Sequence, residues 1–410
     1  MPTFPYTLLR PFAAAFLTAA LLIPHAASAD VRTMSDALAA AWQRHPASRA
    51  LGARQEEFAA RREAADSFLS APPSISLSNR NDRLQRDTGQ SEWDAGVALP
   101  LWLPGYQART LVLIERERDA HAALADEIRW RLAGEVREGW WQYQLATNER
   151  ELATRRTDAA RQLVADVERR VRAGDLPRMD LNQARSAEAA ADAALADAEA
   201  RAHRSARSFL ALTGLAKPPS EAMMSETRRT ADPAAPHPRL AALEIAAAAA
   251  RARLQIANRN VRDLPELAVG MRRERPLDGA AWESSTSVEI RFPLATDSRN
   301  RPKIAAANAE LIEVEAQLPY EQARVAAEQD AAERELQLAA EAARRAAHRQ
   351  ALAAETQREY ARAFALGNID LPQRLRVEAD AFDAELAAAR ARIEASRAVS
   401  RYNQAIGVLP

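Results

Sequence analysis

The chain lacks cysteine altogether among its 410 residues. This absence excludes disulfide bonds, thiol catalysis and thiolate metal ligands, and it excludes the acylated N-terminal cysteine of a bacterial lipoprotein. An excess of charge of either sign is also missing, because 56 basic side chains balance 56 acidic ones. The net charge therefore gives no reason to expect a nucleic acid as a partner.

Glycine and aromatic residues are scarce, with 12 glycines in the whole chain and an aromatic content of 5%. Alanine, glutamate, arginine, leucine and glutamine are abundant instead, and these residues favour helices. Such a composition is typical of long helical hairpins rather than of a compact mixed core. We therefore predict a mainly α protein with a small β part.

The N-terminus carries the pattern of a secretory signal peptide. Arg10 is the only charged residue before Asp30, and a predominantly apolar run at 12–23 is followed by small residues up to Ala29. We predict a signal peptide over 1–29, cleaved between Ala29 and Asp30, which leaves 410 − 29 = 381 residues. The alternative is a membrane anchor, but the run is shorter than the roughly 20 residues that a spanning helix needs. No later stretch is apolar enough to span a bilayer as a helix.

Three short motifs occur twice at one fixed spacing of 193 residues, from 293 − 100, 367 − 174 and 407 − 214. The paired residues are Pro100 and Pro293, Gly174 and Gly367, and Gly214 and Gly407. His45-Pro46 and His237-Pro238 form a fourth pair, at 192. This pattern indicates a duplication, so we expect two structural repeats, 30–214 and 237–410, joined by a linker at 215–236.

Each repeat is predicted to contain a helix, two strands, a very long helix and a second helix. In the first repeat the strands lie at about 74–80 and 92–100, the long helix at about 106–173 and the second helix at about 177–213. In the second repeat the corresponding segments lie at about 265–273, 282–292, 302–366 and 372–406. Pro319 interrupts the second long helix, where we expect a kink or a first turn that tolerates proline.

The long helices are predicted to form antiparallel coiled-coil hairpins. Between Gly105 and Gly174 no proline occurs, so one helix of about 68 residues can extend roughly 100 Å. Apolar residues recur every fourth position from Leu124 to Trp140, which predicts a buried stripe. Gly174 and Gly367 mark the two hairpin tips, because glycine permits the positive φ that commonly ends a helix.

The four predicted strands alternate polar with apolar residues and are fringed by Trp93 and Trp282. This alternation is typical of strands in outer-membrane barrels, although two soluble hairpins on a helical bundle are the alternative. Four strands cannot close a barrel, and an open edge in lipid leaves backbone groups unpaired. Three copies would supply twelve strands around an open lumen, and two copies would supply a filled barrel of eight. The length of the attached helices favours the wider tube.

These features together resemble the TolC-like outer-membrane efflux proteins over essentially the whole mature chain. The resemblance rests on the signal peptide, the duplication, the strand pairs that end at Pro100 and Pro293, and the tip glycines. It implies a homotrimer with a 12-stranded barrel in outer-membrane lipid and a periplasmic α-helical barrel. It further implies a periplasmic adaptor (membrane fusion) protein and an inner-membrane pump as partners of an outer-membrane efflux channel. Ducts for drug efflux or type I protein secretion, and a periplasmic coiled-coil rod without a pore, remain alternatives.

The second tip, 364–372, looks most like members that work with resistance-nodulation-division pumps for cobalt, zinc and cadmium cations. The chain departs from some relatives that place aspartates about four and seven positions after the tip glycine. This chain instead has Leu371 directly after Asp370, and further along it has Gln373 and Arg376. The resemblance therefore does not predict a ring of carboxylates at the periplasmic aperture for this chain.

Two groups of site residues are predicted at the tips. The adaptor-docking residues are Val171, Arg172, Gly174, Asp175, Leu176, Leu366, Gly367, Asn368 and Ile369. The residues predicted to hold the periplasmic aperture shut are Asp180, Asp370, Gln373 and Arg376.

The sequence shows no constellation typical of an enzyme. The histidines fall singly, at positions 25, 45, 121, 203, 237 and 348. Acidic residues interleave with arginine along the helices, which favours a solvated, ion-paired face over an acid–base pair. We therefore predict no catalytic residues, no metal site and no cofactor.

Overall fold

The computed structural model describes residues 33–84, 88–215, 219–220, 224–232 and 235–410. The predicted signal peptide and its cleavage site between Ala29 and Asp30 lie outside the described residues. The predicted linker is described in part.

The described residues fold into two successive sets of helices and paired strands. The first set is α1 (Met34–Arg44), α2 (Pro46–Asp66), β1 (Ser74–Asn81), β2 (Ser91–Pro100), α3 (Tyr106–Ala173) and α4 (Arg178–Thr213). The second set is α5 (Pro238–Arg259), β3 (Glu266–Arg275), β4 (Glu283–Arg291), α6 (Asp297–Ala365) and α7 (Leu371–Ala405). The prediction of a mainly α chain with a small β part is confirmed.

Equivalent histidines begin equivalent helices in the two repeats. The Nδ1 atom of His45 accepts a hydrogen bond from the backbone N–H of Ala47 at 3.2 Å, at the start of α2. The Nδ1 atom of His237 accepts one from the N–H of Arg239 at 3.3 Å, at the start of α5. Burial lowers the pKa of His237, and the positive charge of Arg239 lowers it further. Because an accepting Nδ1 must be unprotonated, the lowered pKa favours this cap.

Helix α6 begins earlier than predicted and runs through Pro319. It starts at Asp297, whereas the prediction was about 302. Pro319 therefore lies well inside the helix, and the expectation of a first turn is wrong. Proline cannot donate to the carbonyl of Glu315 four residues earlier. Because Pro319 is exposed, water can bond that carbonyl instead.

The buried stripe of α3 differs from the every-fourth pattern that the sequence predicted. Val136 and Trp140 are fully buried, but Leu124 is 47% exposed, and Trp130, which the every-fourth pattern omits, is buried. Spacing of four residues advances 400° around a helix, so each step drifts by about 40° from one face. Over the four steps from Leu124 to Trp140 this drift moves the first residue out of the contact.

The contacts between helices define their lateral order. Helix α3 packs against α2 and α5 on the strand side, and against α4 and α7 on the tip side. Helix α6 packs against α5 and α7. In the described residues α6 therefore forms one lateral edge of the helical layer, and α2 with α4 forms the other.

The strands form one antiparallel sheet in the order β1-β2-β3-β4. The two repeats meet in its centre, where Gly96 of β2 pairs with Gly270 of β3. The outer strands are β1, which follows α2, and β4, which leads into α6. The open edges of the sheet thus continue the open edges of the helical layer.

The middle of α3 is tied to the linker and the C-terminus by Arg137, which is 3% exposed. Its Nε and Nη2 atoms donate to the two carboxylate oxygens of Glu226 at 2.9 and 2.7 Å. Its Nη1 donates to Oε1 of Gln404 at 2.5 Å, and Nη2 also donates to the carbonyl of Val408 at 3.1 Å. We call these four residues the Arg137 clasp.

A chain of ion pairs joins four helices nearer the sheet. Glu117 of α3 accepts from Arg61 of α2 at 2.6 Å and from Arg253 of α5 at 2.7 Å, and Arg253 also pairs with Glu310 of α6. Burial acts to raise the pKa of Glu117, but the hydrogen bonds from both arginines outweigh it, so the pKa is lowered. The carboxylate therefore stays ionised and holds the helices in register.

Candidate functional site

The two helical hairpins end in tips of the same backbone geometry. Gly174 and Gly367 adopt φ values of +88° and +76°. The N–H of Asp175 donates to the carbonyl of Arg170 at 2.9 Å, and the N–H of Asn368 donates to that of Ala363 at 2.9 Å. In both tips the glycine thus lets the chain reverse while the last helical carbonyls remain bonded.

The two tips pack together around a small apolar core, here called the tip core. Its buried residues are Leu163, Val167, Ala184, Phe364 and Leu371. Three predicted docking residues, Val171, Leu176 and Ile369, are half-buried against this core. Their apolar side chains therefore help to hold the tips together.

The remaining predicted docking residues form the exposed end of the tips. They are Arg172, Gly174, Asp175, Leu366, Gly367 and Asn368. Leu366 is 76% exposed, and Met179, which the sequence analysis did not single out, is 64% exposed. Two large apolar side chains are thus exposed near the ends of the hairpins, and Leu366 directly precedes Gly367. The signal that could have found Met179 is its position directly after the Pro177 break.

Phe364 joins the two hairpins through cationic contacts that sequence reasoning also missed. The guanidinium carbons of Arg170 and Arg374 lie 4.9 and 4.8 Å from the centre of its ring. Arg170 also donates to the backbone carbonyl of Phe364 at 3.2 Å. Because Arg170 belongs to α3 and Arg374 to α7, these contacts fix the relative position of the tips.

The four predicted aperture residues do not contact one another as a set. Asp370 caps α7, where its carboxylate accepts from the N–H of Gln373 at 2.9 Å. Gln373 and Arg376 are exposed, whereas Asp180 is buried in the first turn of α4. Among the described residues Arg376 forms no ion pair within its own chain.

One face of the sheet is apolar and exposed, and the pairing register accounts for it. Ile75, Val97, Val269 and Val288 lie side by side across β1, β2, β3 and β4. They are 83%, 42%, 44% and 69% exposed. The same face carries Leu77, Trp93, Ala95, Leu99, Leu267, Met271 and Ile290. Exposed apolar patches of this kind mark surfaces that contact lipid, another protein or a ligand.

The opposite face of the sheet is polar. Arg272 pairs with Asp94 at 2.8 Å and with Glu92 at 3.1 Å, and Arg80 lies 3.6 Å from Glu92. Ser76, Gly96, Gly270 and Ser287 form a row of small residues across the same face. The sheet therefore separates an apolar side from a hydrated side. Trp93 and Trp282 stand near its far end.

None of the described helices combines the length and the apolar character that spanning a membrane requires. Among the described residues no group of three or more histidine, aspartate or glutamate side chains could hold a metal ion.

Comparison with solved structures shows the class of fold. The chain superposes on CusC, whose structures concern transmembrane channel formation, with a TM-score of 0.72 at 14% identity, covering 92% of each chain. It superposes on the outer membrane protein VceC of Vibrio cholerae with a TM-score of 0.72 at 16% identity, covering 92% of this chain and 96% of that one. The open state of the outer membrane channel MtrE of Neisseria gonorrhoeae gives a TM-score of 0.72 at 15% identity, covering 92% of this chain and 89% of that one.

The chain therefore has the fold of the TolC-like outer-membrane channels. These neighbours are channel and membrane proteins rather than enzymes. No protein-family model matches the sequence, and no curated protein matches it either.

Proposed function

We propose that the protein is the outer-membrane channel of a tripartite efflux system and works as a homotrimer. The observation that carries the proposal is a sheet with two open edges, one exposed apolar face and one polar face. The sheet is joined to helices of 68 and 69 residues, each about 100 Å long. A duct across the outer membrane and the periplasm requires this combination of parts.

Assembly into a ring follows from the open edges. Strand β1 and helices α2 and α4 lie at one lateral edge of the chain, and β4 with α6 lies at the other. A head-to-tail contact that joins β4 of one copy to β1 of the next leaves no strand edge in lipid once the ring closes. Three copies give twelve strands, and the polar faces then line a lumen.

The apolar face of the sheet is assigned to outer-membrane lipid. Strands β2 and β3 have 10 residues each, within the length that tilted strands need to cross a bilayer. Trp93 and Trp282, near the strand turns, suit the boundary between lipid and water. The helices then extend into the periplasm, on the opposite side of the membrane from the turns.

The exposed tips are assigned to a periplasmic adaptor protein, which connects the channel to an inner-membrane resistance-nodulation-division pump. Leu366 and Met179 offer apolar contacts, and Gly174 and Gly367 permit close approach of another backbone.

The proposed cargo is heavy-metal cations, because the second tip resembles the tips of channels that work with pumps for such cations. Measuring sensitivity to cobalt, zinc and cadmium in cells that lack only this protein tests the cargo. Sensitivity to drugs alone, or loss of a secreted protein alone, would contradict it.

Asp180, Asp370, Gln373 and Arg376 are proposed to take part in closing the periplasmic aperture. Since Arg376 has no ion pair within the described part of its own chain, its partner is assigned to a neighbouring copy. We predict that Arg376→Gln raises the single-channel conductance in a planar lipid bilayer, because the closed tips lose a polar contact between copies.

The matched control for Arg376 is Arg362→Gln. Arg362 is also an exposed arginine near the second tip, but it pairs with Glu359 on its own helix. Its replacement should leave the conductance unchanged. An unchanged conductance in Arg376→Gln would remove Arg376 from the aperture.

The same recording tests the proposed function as a whole. Purified protein should insert into the bilayer and conduct ions in discrete steps. A coiled-coil rod without a pore would remain with the soluble periplasmic proteins and would conduct nothing.

A further inference from the structure

Two arginines lie on the apolar face of the sheet, at the end where the strands turn. Arg273 pairs in register with Trp93 of β2 and Ser284 of β4, and Arg275 pairs with Ser91. Both therefore share a face with Val97 and Val269 rather than with the ion pairs of the polar face. Since this face is assigned to lipid, two cations at its rim require an explanation.

The charges of these arginines are poorly compensated within the chain. Arg273 is exposed and forms no ion pair among the described residues. Arg275 lies 3.4 Å from Asp278, whose side chain is 83% exposed, and donates to the carbonyl of Gly89 at 3.3 Å. The Nε atom of Arg275 is buried, and no described residue accepts a hydrogen bond from it.

Trp282 holds both guanidinium groups in place. Their central carbons lie 5.2 Å (Arg273) and 5.4 Å (Arg275) from the centre of the Trp282 ring. Stacking on an indole restricts each guanidinium without using its N–H donors, and among the described residues no ion pair occupies those of Arg273. Two oriented cations beside a tryptophan at a membrane boundary are suited to bind an anionic group that lies at the same depth in the membrane.

We propose that Arg273, Arg275 and Trp282 bind the phosphate of a lipid headgroup in the leaflet on the side of the strand turns. Guanidinium groups bind phosphate oxygens through paired, charge-assisted hydrogen bonds. Free phosphate is the weaker match, because the two arginines border an apolar surface that acyl chains would cover. The inference rests on the proposed function, since it takes this face of the sheet to lie in lipid.

The test compares lipid binding by the assembled full-length protein and its variants. Each protein is placed in phosphatidylcholine bilayers containing a minor fraction of phosphatidic acid, which carries a phosphate monoester. After extraction with detergent, native mass spectrometry counts the phosphatidic acid molecules that stay bound. The variants are the double substitution Arg273→Gln with Arg275→Gln and, as a matched control, Arg291→Gln on the polar face of β4. A further sample contains millimolar inorganic phosphate as a competitor.

We expect the wild type and Arg291→Gln to retain phosphatidic acid in preference to phosphatidylcholine, and the double variant to lose at least about tenfold in affinity. Inorganic phosphate should not compete. Equal retention by the double variant would overturn the inference, and competition by inorganic phosphate would overturn the assignment to lipid. Failure of the wild type to enter the bilayers at all would instead contradict the proposed function.

Discussion

Replacing Gly174 with tryptophan is expected to abolish export while trimers still reach the outer membrane. A Cβ atom added at Gly174 meets no other atom within 4 Å, so the indole would extend from the tip without disturbing the fold. The positive φ of +88° costs an L-residue only about 1–2 kcal/mol. The bulky side chain, however, keeps the adaptor backbone away from the tip. Export, measured as efflux from cells that contain the pump and adaptor, should fall at least about tenfold, the equivalent of 1.4 kcal/mol of docking energy.

Gly279 offers a matched control at the other end of the molecule. It has a φ of +82° and equally empty surroundings, but it lies in the turn between β3 and β4. Gly279→Trp therefore carries the same backbone strain without affecting the tips and should export normally. Gly367→Trp should fail like Gly174→Trp. Normal export by either tip variant, with equal amounts of trimer in the membrane, would contradict docking at the tips.

The second large effect is expected at the Arg137 clasp. Replacing Arg137 with methionine leaves the carboxylate of Glu226 buried without its cation, since the two side chains are only 3% and 9% exposed. Breaking a buried ion pair in this way typically costs about 3–5 kcal/mol. The free energy of unfolding in urea should therefore fall by about that amount.

An exposed ion pair between α3 and α7, the helices that contain Arg137 and Gln404, provides the control. Arg155 of α3 pairs with Glu385 of α7 at 2.8 Å, but the side chains are 60% and 38% exposed. Arg155→Met should change the free energy of unfolding by about 1 kcal/mol or less. If the Arg137 and Arg155 variants were equally stable, the clasp would have no special role in holding the linker and C-terminus.

Local patterns in the sequence were sufficient to predict the main elements. Gly174 and Gly367 mark helix ends because a residue with positive φ is needed there, whatever the rest of the chain does. The alternation from Trp93 to Leu99 likewise depends only on the two-residue period of a strand. Such rules act over a few residues, which is why they are readable from one sequence.

Contacts between distant segments left no comparable pattern. Arg137 bonds to Glu226 and Gln404, which are 89 and 267 positions away. Nothing in the neighbouring residues distinguishes Arg137 from the many arginines that face water. The half-burial of Val171, Leu176 and Ile369 was likewise not predictable from the neighbouring residues. It depends on how the two hairpins meet, not on the sequence of either tip alone.

The mass of the assembled protein tests the central claim most directly. We predict that protein extracted from the outer membrane in mild detergent has the mass of three mature chains by native mass spectrometry. A monomer found in the soluble periplasmic fraction, with no protein in the outer membrane, would contradict it.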